Sequence, residues 1–234
     1  MSDISVIIPT YQHGKTIEKC IESLLSQTLL PKEIIVIDDG STDDTKLRID
    51  RFGDKLKYVF QENQGAPKAR NNGAKLSTGS FILFCDADVV AKPNMLEEMK
   101  KVLDERQNAS YAYCGFMWNG KKFSSQTFDP NMLRKSNFVH TTSLIRKNDF
   151  PGFDPVIKRL QDWDLWVTML ENGKKGIVIY KILFSVTNVR GRKNISKWIP
   201  SIMYQIPWNV IGWAPRSIKE YKAAEAIIKT KHRL

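Results

Sequence analysis

Two carboxylates one residue apart, Asp86 and Asp88, end the apolar run "FILFCDADVV". Side chains alternate along a strand, but the alternation breaks where the strand stops, and acids at i and i+2 can then share a divalent cation and a ligand hydroxyl. Magnesium or manganese suits such a pair, because both take oxygen ligands and often bridge to a substrate diphosphate. The plain alternative is a polar turn after a strand. A second acidic cluster stands in "IDDGSTDDT". Asp, Gly and Ser are turn residues, and Ser41 or Thr42 would cap the helix that follows. Two adjacent acids at a strand end exceed what a turn needs unless one accepts a hydrogen bond, and Asp39 is assigned that role toward a base N–H or a ribose hydroxyl.

The elements that must hold these acids follow from the apolar spacing. "ISVIIP", "EIIVID", "LKYVFQ" and "FILFCD" are nearly continuous apolar runs, as strands covered on both faces should be. Helical spacing fills the intervals, over 15–27, 42–51 and 66–76, and a further helix starts after Pro93 and runs towards Arg106. Such alternation implies right-handed crossovers and an α/β fold of Rossmann-like type, a mostly parallel central sheet flanked by helices. Ligands of open parallel sheets bind beyond the carboxyl ends of the strands. Pro9-Thr10-Tyr11, Asp38-Asp39-Gly40-Ser41 and Asp86-Ala87-Asp88 therefore collect on one edge. Further strands are expected at 109–117, 122–128, 141–145 and 176–184, with a helix over "LQDWDLWVTMLENG" that stops at Gly173.

Composition bounds the classes. The 234 residues are 42% hydrophobic and 26% charged, which fits a folded chain and excludes disorder. Cys20, Cys85 and Cys114 are odd in number and lack CxxC spacing, so neither a disulfide framework nor a zinc site is expected. The opening "MSDISVIIPTY" reaches a proline too soon for a signal peptide, and a cytoplasmic location is expected. The net charge of +11 calls for an anionic partner: nucleic acid, a phosphorylated small molecule or an acidic membrane surface. Acidic strand ends would repel nucleic-acid phosphates, so nucleic acid is not expected.

The segments "SVIIPTYQHGKTIEKCIESLLSQT", "EIIVIDDGSTDDT", "NQGAPKARNNGAKLSTGSFILFCDAD" and "GFDPVIKRLQDWDLW", in that order, resemble the family 2 glycosyltransferases, whose fold is the nucleotide-diphospho-sugar transferase fold called GT-A. The resemblance runs from Ile4 to Phe184. It implies that Pro9 and Tyr11 flank the nucleotide base, with Tyr11 packed on it, that Asp39 binds the base, and that Arg70 approaches base and sugar nucleotide. Asp86 matches the acid that meets the ribose and Asp88 the acid that holds Mn2+ or Mg2+. Asp162 matches the general base of an inverting, single-displacement transfer. Asp164 lies about 200° around the helix from it and is expected to be a solvated or capping acid. Trp163 and Trp166 are expected in the core or as acceptor-cleft walls, and His140 on the acceptor side or in the core.

Two departures from the family pattern stand out. Gln161 replaces the usual glutamate beside the base. In "VRGRKNIS", Arg192 stands where many relatives carry a histidine, with Arg190 nearby, and guanidinium groups there would pair with diphosphate oxygens.

The chain accordingly divides into a catalytic domain, 1–184, with a nucleotide-sugar half at 1–106 and an acceptor half at 107–184, and a basic tail, 185–234. The tail has ten Lys or Arg against two Glu, with Trp198, Trp208 and Trp213 among prolines. It would either lie at a membrane surface, on the inner face of the cell membrane, or pack onto the domain or another subunit. The function expected is sugar transfer from a nucleotide diphosphate, UDP favoured, to a glycan or lipid-linked acceptor. A non-catalytic nucleotide-sugar-binding subunit and a nucleotidyltransferase are the alternatives.

Overall fold

The structure is a computed structural model that describes residues 2–187 and 215–234. Four parallel strands lie in the order β3 (Lys57–Phe60), β2 (Glu33–Asp38), β1 (Ile4–Thr10) and β4 (Phe81–Phe84). Helices α1 (Ile17–Leu25), α2 (Thr45–Asp50) and α3 (Ala66–Leu76) make the crossovers. Every residue of β1 is buried, as expected of an apolar run with helices on both sides. Thr10 pairs with Asp38 and Asp38 with Phe60, while the amide of Cys85 bonds to Ile7 O. The polar strand ends thus meet on one edge, as the spacing predicts.

Beyond β4 the sheet becomes mixed. After β5 (Val89–Ala91) and α4 (Met95–Glu105) come β6 (Tyr111–Trp118), β7 (Lys121–Phe123), α5 (Pro130–Lys135) and β8 (Leu144–Arg146). Then follow α6 (Gln161–Glu171), β9 (Gly176–Val186) and, after the undescribed stretch, α7 (Arg216–His232). β8 pairs antiparallel with both β4 and β6, β9 runs parallel to β6, and β5 lies antiparallel to the end of β9. The strand expected over 122–128 runs only from Lys121 to Phe123: it starts from a tight hairpin at Asn119 and Gly120, both at positive φ, and beyond Phe123 the chain bonds elsewhere, Ser125 Oγ donating to Ile179 O and Gln126 O accepting from Tyr113 OH. The strand expected over 141–145 is delayed to Leu144, since residues 140–143 bond to one another: Ser143 N–H donates to Thr141 O and Ser143 Oγ to His140 O.

The sheet separates two apolar layers. Ile4, Val6 and Ile8 face α1 and α4, with Ile21, Leu24, Met95 and Met99, whereas Ile7 and Phe84 face the side of Tyr111, Trp163 and Trp166. Gly73 lets α3 lie directly on β1, for a Cβ there would stand 2.3 Å from Ile7 Cγ2.

The end of the chain returns to the domain. Ile218, Ile228 and His232 of α7 are buried. His232 lies between two acids, Nε2 2.9 Å from Asp164 Oδ1 and Nδ1 2.8 Å from Glu171 Oε2. Lys231 Nζ lies 2.7 Å from the same Asp164 oxygen and 2.8 Å from Asp154 Oδ2. Asp164 is therefore not the solvated or capping acid expected. It is 3% exposed and anchors α7. Among the described residues no helix is long and apolar enough to cross a membrane.

Because α3 carries Arg70, its seat on β1 matters to the site. Gly73→Val should cost about 1–3 kcal/mol, read as a lower urea midpoint at unchanged slope, by overpacking against Ile7. It should also weaken binding of a nucleotide sugar, measured by calorimetry, in parallel.

Candidate functional site

Arg70 is the centre of the edge. It is 7% exposed, and its guanidinium reaches across the cleft: Nη2 donates to Asp86 Oδ1 at 2.7 Å and Nη1 to Gln161 Oε1 at 2.8 Å. One group thus joins the end of β4 to the start of α6. Its underside is apolar, with the Phe153 ring centroid 5.1 Å away. Phe153 is itself fixed, since Asn71 Nδ2 donates to its carbonyl and Asn71 Oδ1 accepts from its N–H, both at 2.8 Å. Arg70 Nε is buried with no hydrogen-bond partner.

Asp86 feels two opposed influences. Burial pushes its carboxyl up, but the guanidinium of Arg70, with His140 and His13 nearby, outweighs this and holds it below the usual carboxylate range. Asp162, the first-turn acid of α6, goes the other way. Burial raises its pKa, against the pull of the Trp163 N–H and of Arg70, and the charge of Asp86 adds to the rise. The two carboxylates within the field of Arg70 are thereby driven apart in basicity.

Asp39 is 3% exposed and accepts three hydrogen bonds, from Gln61 Nε2 at 2.6 Å and from the Gln64 and Gly65 amides at 2.8 Å each. A carboxylate has about four acceptor positions, so one remains for a ligand donor. Ser41 and Thr42 do not cap α2, which begins at Thr45. Their hydroxyls take the backbone N–H and the side-chain amide of Gln12 instead, and hold the 10–14 loop against the 39–43 loop. Tyr11 rides on that loop near Pro9, 44% exposed. Asp88 is half-buried, and its carbonyl accepts from Thr187 N–H, just beyond β9.

His140 packs against the stacked rings of Phe116 and Phe184, at 4.8 and 5.0 Å. Its Nδ1 accepts from the Thr142 amide at 3.0 Å, which places the imidazole proton on Nε2. Burial lowers its pKa to about 4, against the attraction of Asp86. Trp163 is a core residue rather than an acceptor wall: it is 1% exposed and donates Nε1–H to Leu133 O. Arg190 and Arg192 lie outside the described residues. The thiols of Cys20 and Cys85, far apart in sequence, meet at 3.8 Å beneath the acidic edge.

Known proteins are similar to this chain in sequence and fold. Residues 5–154 match the model for Glycosyl transferase family 2. The chain belongs to that family. An uncharacterized glycosyltransferase of Rickettsia prowazekii is 32% identical over 181 residues, which are 70% of this chain and 57% of the relative. Staphylococcus aureus TarS 1-349 in complex with UDP gives a TM-score of 0.67 at 27% identity, over 80% of this chain and 61% of that one. With UDP-GlcNAc bound, the same TarS fragment gives 0.70 at 23% identity, over 93% and 68%. A mannosyltransferase of Pyrobaculum calidifontis in complex with GDP-Man and Mn2+ has the same fold, with a TM-score of 0.64 at 19% identity, over 97% and 69%. The chain spans under two thirds of the Rickettsia relative and of the UDP-bound TarS chain.

In this family 2 member, several residues at the edge carry no motif of their own. Gln12, at φ 58, ties the first two loops together, and Gln61, Gln64 and Gly65 close on Asp39. Asn137, in the loop after α5, reaches Asp162. The "NQG" beside the helix start marks Gln64 and Gly65, but nothing in the sequence marks Asn137.

The lowered pKa of His140 fixes a sign. Between about 6.5 and about 4 the unfolded chain binds a proton that the folded one refuses, so stability falls as the pH drops through that window. Urea unfolding at pH 7 and pH 4.5 should show a decline, and the part of it due to His140 should vanish in His140→Phe. Equal slopes in both proteins would contradict the buried neutral ring.

Proposed function

We propose that the protein is an inverting glycosyltransferase that moves a sugar from a nucleoside diphosphate, with UDP favoured, to a hydroxyl of a glycan or lipid-linked acceptor. The observation that carries the reading is the Arg70 bridge. It joins the acid assigned to the donor, Asp86, to the turn of helix that presents the half-buried carboxylate of Asp162. The UDP and UDP-GlcNAc held by TarS support a UDP-sugar as the first donor to try.

In this reading the base lies against Tyr11 beside Pro9 and donates to Asp39, and the ribose meets Asp86. Arg70 Nε–H, buried and unpartnered, is left for a donor oxygen. Arg190 and Arg192 are assigned to the diphosphate. The acceptor oxygen attacks the anomeric carbon from the face opposite the diphosphate, the bond from that carbon to the diphosphate oxygen breaks, and the acceptor proton passes to Asp162. A carboxylate of raised pKa suits that transfer, since its basicity lies nearer working pH. His140 would present Nε2–H at the acceptor side.

Asp88, with Asp86, is the fitting holder of Mn2+ or Mg2+, which when bound would offset diphosphate charge as a Lewis acid. Among the described residues no three His, Cys, Asp or Glu groups converge as a metal cluster. Such an ion would therefore take most of its oxygens from the diphosphate and from water, as magnesium habitually does. A lipid-linked acceptor would bring the protein to a membrane surface.

The competing reading is a nucleotide-sugar-binding subunit without transfer chemistry, favoured by Gln161 in place of an acid. Thermal shift with UDP-GlcNAc and Mn2+, followed by assay of released UDP, separates them. Ligand at about 100 times its dissociation constant should stabilise by about 2.7 kcal/mol, several degrees in Tm. Asp162→Asn should keep that shift and lose about 10²–10⁴-fold in turnover. Asp88→Ala should lose the metal-dependent part of the shift. Turnover unchanged in Asp162→Asn would remove the proposed base.

A further inference from the structure

The last turn of α5 and the loop that follows it are each fastened to α6. Trp163 Nε1 donates to Leu133 O at 2.6 Å and Trp166 Nε1 to Val139 O at 2.9 Å, both buried. Asn137 stands between those two ties. Its Oδ1 accepts from the Val139 N–H at 3.1 Å, and its Nδ2 donates to Asp162 Oδ2 at 2.7 Å. The first bond decides the second. A backbone N–H can meet only the oxygen of the side-chain amide, so the NH₂ must face Asp162.

We propose that Asn137 is a positioning residue for Asp162, a neutral donor that fixes the rotation of the carboxylate and leaves its free lone pairs aimed at the acceptor hydroxyl. The proposal rests on the reading of Asp162 as proton acceptor. Asp162 Oδ1 is held by the Trp163 amide at 3.0 Å, so each oxygen carries one neutral hydrogen bond. The nearby cation, Arg70, spends its Nη groups on Asp86 and Gln161. A direct guanidinium bond would hold the carboxylate more rigidly but strip it of basicity, and an amide avoids that loss. The charged groups facing Asp162 are Arg70 from α3, which favours its ionised form, and Asp86 from the end of β4, which disfavours it.

The test reads the carboxylate directly and needs no acceptor. Protein labelled with ¹³C at the aspartate carboxyls is titrated by NMR, and the Asp162 signal is assigned by its loss in Asp162→Asn. Removing a donor to the ionised form in Asn137→Ala should raise the titration midpoint by about one pH unit. Asn137→Asp, close to isosteric, sets a second carboxyl against Oδ2, so the pair shares a proton and the midpoint moves further up. It also serves if the alanine variant fails to fold. Release of UDP from UDP-GlcNAc to water, followed against pH, should show its acid limb displaced by the same amount.

A merely structural role would lower Tm in these variants and leave the midpoint in place. That result overturns the proposal. If instead Asp162→Asn keeps its UDP release, the base assignment fails, whatever the Asn137 variants do to the midpoint.

Discussion

A guanidinium withdrawn almost wholly from water has to be answered by acceptors in fixed places, because its charge and its donors lose solvation on burial. Arg70 meets this demand with one carboxylate and one amide oxygen, drawn from opposite halves of the fold. The rest of the edge is arranged around that requirement. Gly73 brings α3 down onto β1 so that Arg70 reaches the end of β4, and Asn71 clasps the loop that sets Phe153 beneath the guanidinium. Residues of the first and second halves of the fold, Asp86 and Gln161, meet at this one cation.

The same cation orders the acids by basicity. Asp86 is in direct contact with it and stays ionised, while Asp162 sits beyond contact, under burial and the field of Asp86. Distance from a single charge thus separates two like groups in basicity. Farther along α6 the helix has a second electrostatic anchor. Asp164 on its other face carries Lys231 and His232, which draws the end of the chain onto the helix that presents Asp162. His232 faces a carboxylate at each ring nitrogen, Asp164 at Nε2 and Glu171 at Nδ1.

The parallel half was legible because its strands are apolar on both faces and its helices are not, a contrast that survives without any knowledge of contacts. β1, β2 and β4 fall within a residue or two of the apolar runs. β3 follows its run too, starting one residue late. The mixed half was less legible. β5 has three residues and exists because β9 offers it an edge, which no local pattern records, whereas β8, also three residues, was read at 141–145 and starts later because residues 140–143 bond to one another. The acids at strand ends could be read because residue type and chain continuity together place them. Arg70 and Asp162 came through family resemblance, and Asn137 through neither, since a single asparagine in a loop looks like any other. Asp164 shows the limit of helical geometry: angle told that it points away from Asp162, but not that another helix would cover it.

Residue 161 shows how charge count and geometry combine. An acid there would set three carboxylates, with Asp86 and Asp162, around a single guanidinium. Each additional negative charge makes the others harder to ionise, so the base would lose proton-accepting capacity at low pH and the cation would be fully neutralised. Glutamine supplies the same oxygen to Nη1 without the charge. Arg70 is then balanced by Asp86 alone at contact distance, and its Nε–H stays buried without a partner. A buried donor left open on a charged group is costly unless an acceptor arrives. A ligand oxygen that reaches this N–H meets that need.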